Sequence, residues 1–545
     1  MFDDPDELHR AADAHQSQGR LEAAIEAYRR ALRAGPRLAT LNNLAVALKR
    51  VGRPAEALAA FRQAAGLGSA PPSVLNNLGN LARQTGDLDE ALAAYEQSLK
   101  LRPDDPDTLN NYAGALLDAR RFDEAVAACR IAAAGHPAHP AADGLLYAMH
   151  FLPQTSAEAL AEAHNAWGDS LAAPADARPF ESDRSPDRPL RVGLVSPNFD
   201  FHAVGRFLLP LVDQVDRGRI AFYCYSDTPR PDGLTDRFRR AAAGWRDTLG
   251  LDDAALAEQI RADRIDVLID LALHLSGNRL EVFARRPAPV QATYLAYCST
   301  SGLAAMDYRL TDPRLEPPGE ALPFREKPMP LRHSYWCYPP PDEAPPIAPP
   351  PCMKNGYVTF GCLNAFRKVS PLTLAAWCGV LLAVPHSRLI VHAHEGAHRQ
   401  RFREAVAARG VDPQRVTFQQ FRSFADYLAS YGDIDIALDT LPVSGGTTTC
   451  DALWMGVPVI TLAGDLPTGR SGVSILNNVG LHRFVARDVG EFVQIAAALA
   501  RDRNPLAHVR SELRERLSRS RVMDAPAFAR DFEDVIRTMW EEQIR

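Results

Sequence analysis

The spacing of apolar residues changes character along the chain. Over the first 150 residues they recur at helical spacing, in blocks closed by a glycine or a proline. From about residue 188 they gather into short runs, Leu190–Ser196, Ile220–Ser226 and Ile265–Leu271, and Asp307–Asp312 reads as a further short strand. Such runs read as strands buried on both faces, and the helical patterns between them predict a parallel sheet with crossovers. The pattern resumes after the proline-dense stretch Pro339–Pro351, with strands expected at Tyr357–Gly361, Arg388–His392, Val416–Gln419, Ile434–Leu438 and Pro458–Leu462. That predicts a second doubly wound unit, separated from the first by a polyproline-type spacer.

The helical blocks repeat. Gly19, Gly52 and Gly86 stand 33 and 34 residues apart. Ala24, Ala57, Ala91 and Ala125 follow the same step, as do Tyr28, Phe61, Tyr95 and Cys129, and Pro36, Pro103 and Pro137 close the units. A 34-residue period with small residues at the helix crossings is the tetratricopeptide pattern, in which each helix–turn–helix buries its apolar face only against its neighbours. About four units are expected. Within them L-N-N-L, L-N-N-L and L-N-N-Y place Asn43, Asn77 and Asn111 at one repeat position. Stacked, these amides can clamp the backbone of an extended peptide; the alternative is that they bond neighbouring helices.

The organisation expected is therefore a helical repeat array over 1–150 and a joining helix and linker over 151–187. A first α/β lobe over 188–340 follows, then a spacer over 341–351 and a second lobe over 352–545. The joint carries the amphipathic segment Ala157–Leu171, with His164 read as a packing residue, and then a proline-rich charged stretch.

Composition narrows the partners. The chain is 46% hydrophobic and 23% charged with a net charge of −6, which points away from nucleic acid and anionic membrane as main partners. The eight cysteines form no C-x-x-C pair, which argues for reduced thiols rather than zinc sites or disulfides. The acidic start M-F-D-D-P-D-E-L lacks the apolar core of a signal peptide, and no apolar run approaches a membrane span. A cytoplasmic protein is expected.

The candidate chemistry centres on Asp439–Val457, D-T-L-P-V-S-G-G-T-T-T-C-D-A-L-W-M-G-V. A strand ending at Asp439, Gly445-Gly446, three threonines (Thr447, Thr448, Thr449) and a helix start form an anion-binding arrangement. Free amides and the helix dipole face the ligand, the glycines allow close approach, and the hydroxyls add donors. The plainer reading is a strand–helix connection capped by Thr447. Asp451, one turn in, can accept from a ribose hydroxyl. Lys368, in G-C-L-N-A-F-R-K-V-S-P, precedes a helix capped by Ser370 with Pro371 at its first position, and can neutralise a leaving diphosphate without a metal. Arg470 similarly opens a helix after Leu462. In the first lobe His202 and His274 follow strand ends, on the edge where such sheets gather ligands, and histidine suits proton transfer near neutral pH. A cleft enzyme of the sugar-nucleotide transferase type fits these parts.

On these residues the chain resembles the O-linked N-acetylglucosamine transferase family in its bacterial form, and the related plant SPINDLY O-fucosyltransferases. The resemblance rests on R-P-A-P-V-Q-A-T-Y-L-A-Y-C-S-T-S-G with M-D-Y-R-L-T-D, on Y-V-T-F-G-C-L-N-A-F-R-K-V-S-P, and on D-I-A-L-D-T-L-P-V-S-G-G-T-T-T-C-D-A-L-W-M-G-V-P-V-I-T-L-A-G. It implies a tetratricopeptide superhelix followed by two doubly wound lobes of the GT-B type. It also implies inverting, metal-free transfer of N-acetylglucosamine from UDP-GlcNAc to serine or threonine of proteins held along the repeats, with no cofactor. By motif, His202 matches the family's proposed base and Lys368 the lysine on the diphosphate. His274 and Asp270 match a sugar- and acceptor-side pair, Thr447 and Thr448 match phosphate contacts, and Asp451 matches the ribose carboxylate. Asn364 shares the loop of Lys368, and Tyr427 stands where a histidine stacks near uracil.

There are departures from the animal pattern. Ala365 replaces a glutamine, Gly446 a histidine, and the large domain between the lobes is reduced to the spacer. The G-T-T-T-C wording is also like the plant proteins, so GDP-fucose is an alternative donor. A repeat scaffold with silent lobes is the alternative of another class.

Overall fold

The computed structural model describes residues 4–68, 70–134, 138–171, 180, 185, 188–421 and 423–544. Most of the expected linker, and Pro137, lie outside the described residues. The chain divides into two compact units, Met1–Leu145 with Ala393–Phe402, and Leu146–His392 with Arg403–Arg545.

Among the described residues of the first unit eight helices form four antiparallel pairs: α1 Pro5–Ser17 with α2 Leu21–Leu32, α3 Leu38–Arg50 with α4 Pro54–Gly66, α5 Pro72–Thr85 with α6 Leu88–Leu101, and α7 Pro106–Asp118 with α8 Phe122–Ala133. The repeat markers explain the packing. Ala24, Ala57, Ala91 and Ala125 are fully buried at the crossings. Gly79 lies so close under Tyr95 that a Cβ there would stand 2.6 Å from the ring. The turn between paired helices requires a left-handed residue: Gly19, Gly52 and Gly86 supply it with φ of 74°, 77° and 89°. The fourth turn uses Arg120 at φ 61°, a conformation that costs a non-glycine residue about 1 kcal/mol. The segment Ala393–Phe402 belongs to this unit, where the Asp89 carboxylate accepts from the Ala397 amide at 2.7 Å.

The second unit begins inside α9 (Pro140–Met149), continues with α10 (Ala157–Ser170) and holds two sheets. The first has seven parallel strands in the order β3-β2-β1-β4-β5-β6-β7. They are β1 Leu190–Ser196, β2 Ile220–Ser226, β3 Gly244–Asp247, β4 Val267–Asp270, β5 Val290–Thr293, β6 Tyr308–Thr311 and β7 Lys327–Pro330. The second has six, in the order β10-β9-β8-β11-β12-β13. They are β8 Thr359–Cys362, β9 Arg388–His392, β10 Val416–Gln419, β11 Ile436–Leu438, β12 Val459–Leu462 and β13 Val485–Ala486. The fold class expected from the sequence, tetratricopeptide helices followed by two parallel-sheet lobes, is the one observed.

Four strands escaped the apolar pattern: β3, β5, β7 and β13. β3, Gly-Trp-Arg-Asp, is a half-buried edge strand without a buried-strand pattern. Its Gly244 accommodates the Tyr223 ring of β2, which would come within 2.4 Å of a Cβ. The helix Ala525–Ile544 returns to the first lobe, where Glu533 and Asp534 each accept from Arg219 at 2.9 Å. Phe532, Ile536, Met539 and Trp540 on that helix are buried in the same apolar core as α11 (Ala203–Gln214).

Candidate functional site

The phosphate-type turn is built around Asp439, at the end of β11. This carboxylate is 3% exposed and accepts from the amides of Thr440 and Gly445 at 2.8 Å, from the Thr461 hydroxyl at 2.8 Å and from Asn364 Nδ2 at 3.1 Å. Burial pushes its pKa up while those donors and Lys368 oppose the shift. From the sequence alone Asp439 reads only as a strand end. An acid six positions before a glycine pair can gather the amides of the turn it closes.

Beyond the turn the helix Thr447–Trp454 begins with Gly446 as its cap residue, and no side chain caps it. The capping by Thr447 offered as the plainer reading is therefore not what the structure shows. Uncapped N-terminal amides with the dipole behind them attract an anion. Thr448 Oγ1 donates to Asn364 Oδ1, and Thr449 Oγ1 donates back to the Gly445 carbonyl at 2.8 Å, so that hydroxyl is spent within the turn.

Lys368 ends a single 3-10 turn after β8, just before the helix Pro371–Ala383, which Ser370 caps as expected. Its Nζ donates to the Ser444 carbonyl at 2.9 Å, tying the lysine to the glycine turn. Burial lowers its pKa, opposed chiefly by Asp439. The helix in turn holds the loop: Thr373 Oγ1 donates to the Leu441 carbonyl at 2.8 Å and accepts from its amide at 2.9 Å.

A cavity of about 380 Å³ opens here between the two lobes. Its second-lobe side is formed by Asn364, Ala365, Lys368, Ser444, Thr447 and Thr448, and its first-lobe side includes His202, Leu275, Tyr297 and Cys298. His202 and Lys368 thus share one cavity. His202 is exposed and caps α11, its Nδ1 accepting from the Val204 amide at 3.3 Å. The neutral ring in that arrangement carries its proton on Nε2. Desolvation holds the ring below the ordinary histidine pKa, with Asp200 opposing.

The remaining candidates are not brought to the wall of this cavity. Asp270 and His274 are 1% and 2% exposed. Asp270 accepts from the amides of Ala272 and Leu273 and from Thr293 Oγ1, and burial raises its pKa. His274 donates from Nε2 to the Ser301 carbonyl at 3.0 Å and packs edge-on against Trp167 and His164 of α10. The pair thus anchors the loop whose Leu275 does reach the cavity. Asp451 is 1% exposed and already holds Arg206 Nη2 at 2.9 Å, the Tyr338 hydroxyl at 2.6 Å and the Tyr427 hydroxyl at 3.1 Å. In this state it is a lobe-to-lobe partner and not an open ribose acceptor. Tyr427 stacks on Phe424, with centroids 5.7 Å apart. Arg470 donates to the carbonyls of Arg314 and Gly464, bracing the loop beside Thr468 and Ser471, which do line the cavity.

In the repeat unit Asn43 Nδ2 donates to Asp13 at 3.0 Å and Asn111 Nδ2 to Asn76 at 3.0 Å; Asn77 is half-buried. At two of the three ladder positions the amide bonds a neighbouring helix. Sequence reasoning missed Trp336 and Tyr147. The Trp336 indole fills the room left by Gly446, lying 3.2 Å from where a Cβ would stand.

Comparison with known proteins agrees with this architecture. The family model described as Glycosyl transferase family 41 matches residues 144–338 and 352–532, and a tetratricopeptide repeat model matches 9–73 and 76–140. A curated tomato (Solanum lycopersicum) protein, named probable UDP-N-acetylglucosamine–peptide N-acetylglucosaminyltransferase SPINDLY, is 37% identical over 404 residues, covering 72% of this chain and 43% of its own. The Arabidopsis thaliana protein of the same name is 36% identical over 409 residues, covering 73% and 45%. The chain thus spans less than half the length of these curated relatives. A solved structure of a lysine-to-methionine variant of Thermobaculum terrenum O-GlcNAc transferase superposes with a TM-score of 0.86 at 35% identity, covering 93% of this chain and 98% of that one. With both lobes matched by the family model, and a solved relative at 35% identity superposing over 93% of it, the chain belongs to glycosyl transferase family 41.

Proposed function

We propose that the protein transfers N-acetylglucosamine from UDP-GlcNAc to serine or threonine hydroxyls of proteins, with inversion and without a metal. The observation that carries this reading is one cavity holding Lys368 and the uncapped helix start at Thr447 and Thr448 on one side, and His202 on the other. The hydroxyl oxygen attacks the anomeric carbon as the bond to the diphosphate oxygen breaks. The electron pair leaves with the diphosphate, which the Lys368 ammonium and the helix amides stabilise. The hydroxyl proton passes to a base. His202 serves as that base only with its Nε2 lone pair free, which requires the other tautomer and loss of the 3.3 Å cap. That long bond is worth about 1 kcal/mol.

The acceptors are polypeptides held by the repeat unit, and the eight free cysteines suit a reducing cytoplasm. A second reading, protein fucosylation from GDP-fucose, rests on the G-T-T-T-C wording of the turn, which resembles that of the plant proteins. Calorimetry with UDP, UDP-GlcNAc and GDP-fucose, followed by transfer of radiolabelled sugar onto protein, separates the readings. Binding of GDP-fucose alone would overturn the first. The absence of any transfer would leave a repeat scaffold.

A further inference from the structure

The helix after the fourth repeat departs from the array at one position. Two residues beyond each ladder asparagine the repeats carry a small residue: Ala45, Gly79 and Ala113. In the third repeat Tyr95 lies over this position, 2.6 Å from where a Cβ on Gly79 would stand. The next step of 34 falls on Tyr147, in α9, and the asparagine position two before it becomes Leu145.

The Tyr147 ring packs edge-on against Phe151, with centroids 5.0 Å apart, and against Tyr297 at 5.3 Å, and it forms part of the cavity wall. Just past the end of α9, His150 is 3% exposed and its Nε2 lies 3.2 Å from Ser299 Oγ, which ties the end of the helix to the loop carrying Tyr297 and Cys298. The ring is therefore held by packing on a helix and not carried on a loose loop.

We propose that Tyr147 is an acceptor-positioning residue: with Tyr297 it forms an aromatic wall against which the polypeptide segment bearing the reacting hydroxyl lies. The inference rests on the transferase reading above. The division of the cavity assigns the occupant. The amides, hydroxyls and ammonium suited to a diphosphate come from the second lobe. The side formed by Tyr147, Leu275, Leu295, Ala296 and Tyr297 carries no cation and is largely apolar. An extended peptide packs its neutral backbone and small side chains on aromatic faces, whereas an anion gains nothing there.

The test uses the full chain, a serine-containing acceptor peptide that the wild type glycosylates, and UDP as the nucleotide probe. Tyr147→Ala is expected to raise the peptide KM about tenfold, the scale of losing one packed ring face, with the UDP Kd within about twofold of wild type. Tyr147→Phe is expected to restore the peptide KM. Should Tyr147→Ala fail to fold, Tyr147→Leu, which keeps volume but not the ring, carries the same expectation. A peptide KM unchanged in the folded variant, or a UDP Kd that weakens in step with it, overturns the proposal. A wild type that transfers no sugar to any peptide would bring down the transferase reading itself; wild-type transfer with an indifferent Tyr147 sinks this inference alone.

Discussion

Arg206 on α11 reaches across to Asp451 on the helix after the glycine turn, Nη2 to Oδ1 at 2.9 Å, and joins the two lobes through a pair almost shut off from water. The guanidinium also lies 4.9 Å from the Phe424 ring centroid and 5.7 Å from those of Phe201 and Tyr338. Removing one member of such a pair strands the other charge, at a cost of roughly 3–5 kcal/mol. Arg206→Met is expected to lower stability on that scale in thermal or denaturant melts, and Asp451→Asn added to it to recover a large part. A loss below about 1 kcal/mol would show that the pair is not the tether described.

Lys368→Met removes the ammonium beside the glycine turn while keeping the length of the side chain. Transfer is expected to fall by roughly a hundredfold to a thousandfold, the scale of losing one charge-stabilising donor, with the protein still folded. Steady-state kinetics together with circular dichroism checks this, and a rate within tenfold of wild type would remove Lys368 from the diphosphate.

The same lysine predicts a pH profile. Burial lowers its pKa, so the charged form is lost at a lower pH than for an exposed lysine. The kcat/KM of wild type is therefore expected to decline on the alkaline side before the ordinary lysine range is reached. A profile flat to the pH of an exposed lysine would contradict it.

His202 has two separable duties, cap and base. His202→Asn keeps a residue that caps helices well but cannot take a proton, while His202→Ala loses both. If the ring is the base, both variants are expected to lose about a hundredfold in rate, with nucleotide binding little changed and only the alanine variant losing about 1 kcal/mol of stability. A fully active asparagine variant would leave His202 as a cap alone.

His150, His164 and His274 form a buried cluster, with successive ring centroids 5.8 and 5.0 Å apart and with Trp167, Tyr147, Tyr297, Ser299 and the Ser301 carbonyl around them. Burial takes the His150 pKa down to about 3 and lowers that of His164 as well. A group whose folded pKa is depressed binds its proton more readily when unfolded. The stability it contributes is thus complete above about pH 6.5 and is lost as pH falls toward 3, by about 1.4 kcal/mol per pH unit for each group. Melting temperature is expected to fall steadily between pH 6.5 and 4.5, and His150→Phe to flatten that slope. An unchanged slope would place the acid sensitivity elsewhere.

The sequence pattern alone determined the repeats, nine of the thirteen strands among the described residues and much of the turn. The 34-residue step is read by comparing the chain with itself, whereas the strands at Leu190–Ser196 and Ile220–Ser226, the Ser370-Pro371 helix start and the glycine-threonine turn are written in neighbouring residues, because apolar runs, caps and glycine conformations act within a few positions of the chain. Only the tertiary structure decided which side chains meet. It brought His202 and Lys368, 166 positions apart, to one cavity, and it turned Asp270 and His274 inward. It closed Asp451 with an arginine from the other lobe, and it placed Tyr147 of a degenerate repeat helix on the cavity wall. Which way a loop side chain faces is set by whatever packs behind it, here α10 behind His274 and Arg206 beside Asp451. Those neighbours come from distant parts of the chain, and only folding makes them neighbours.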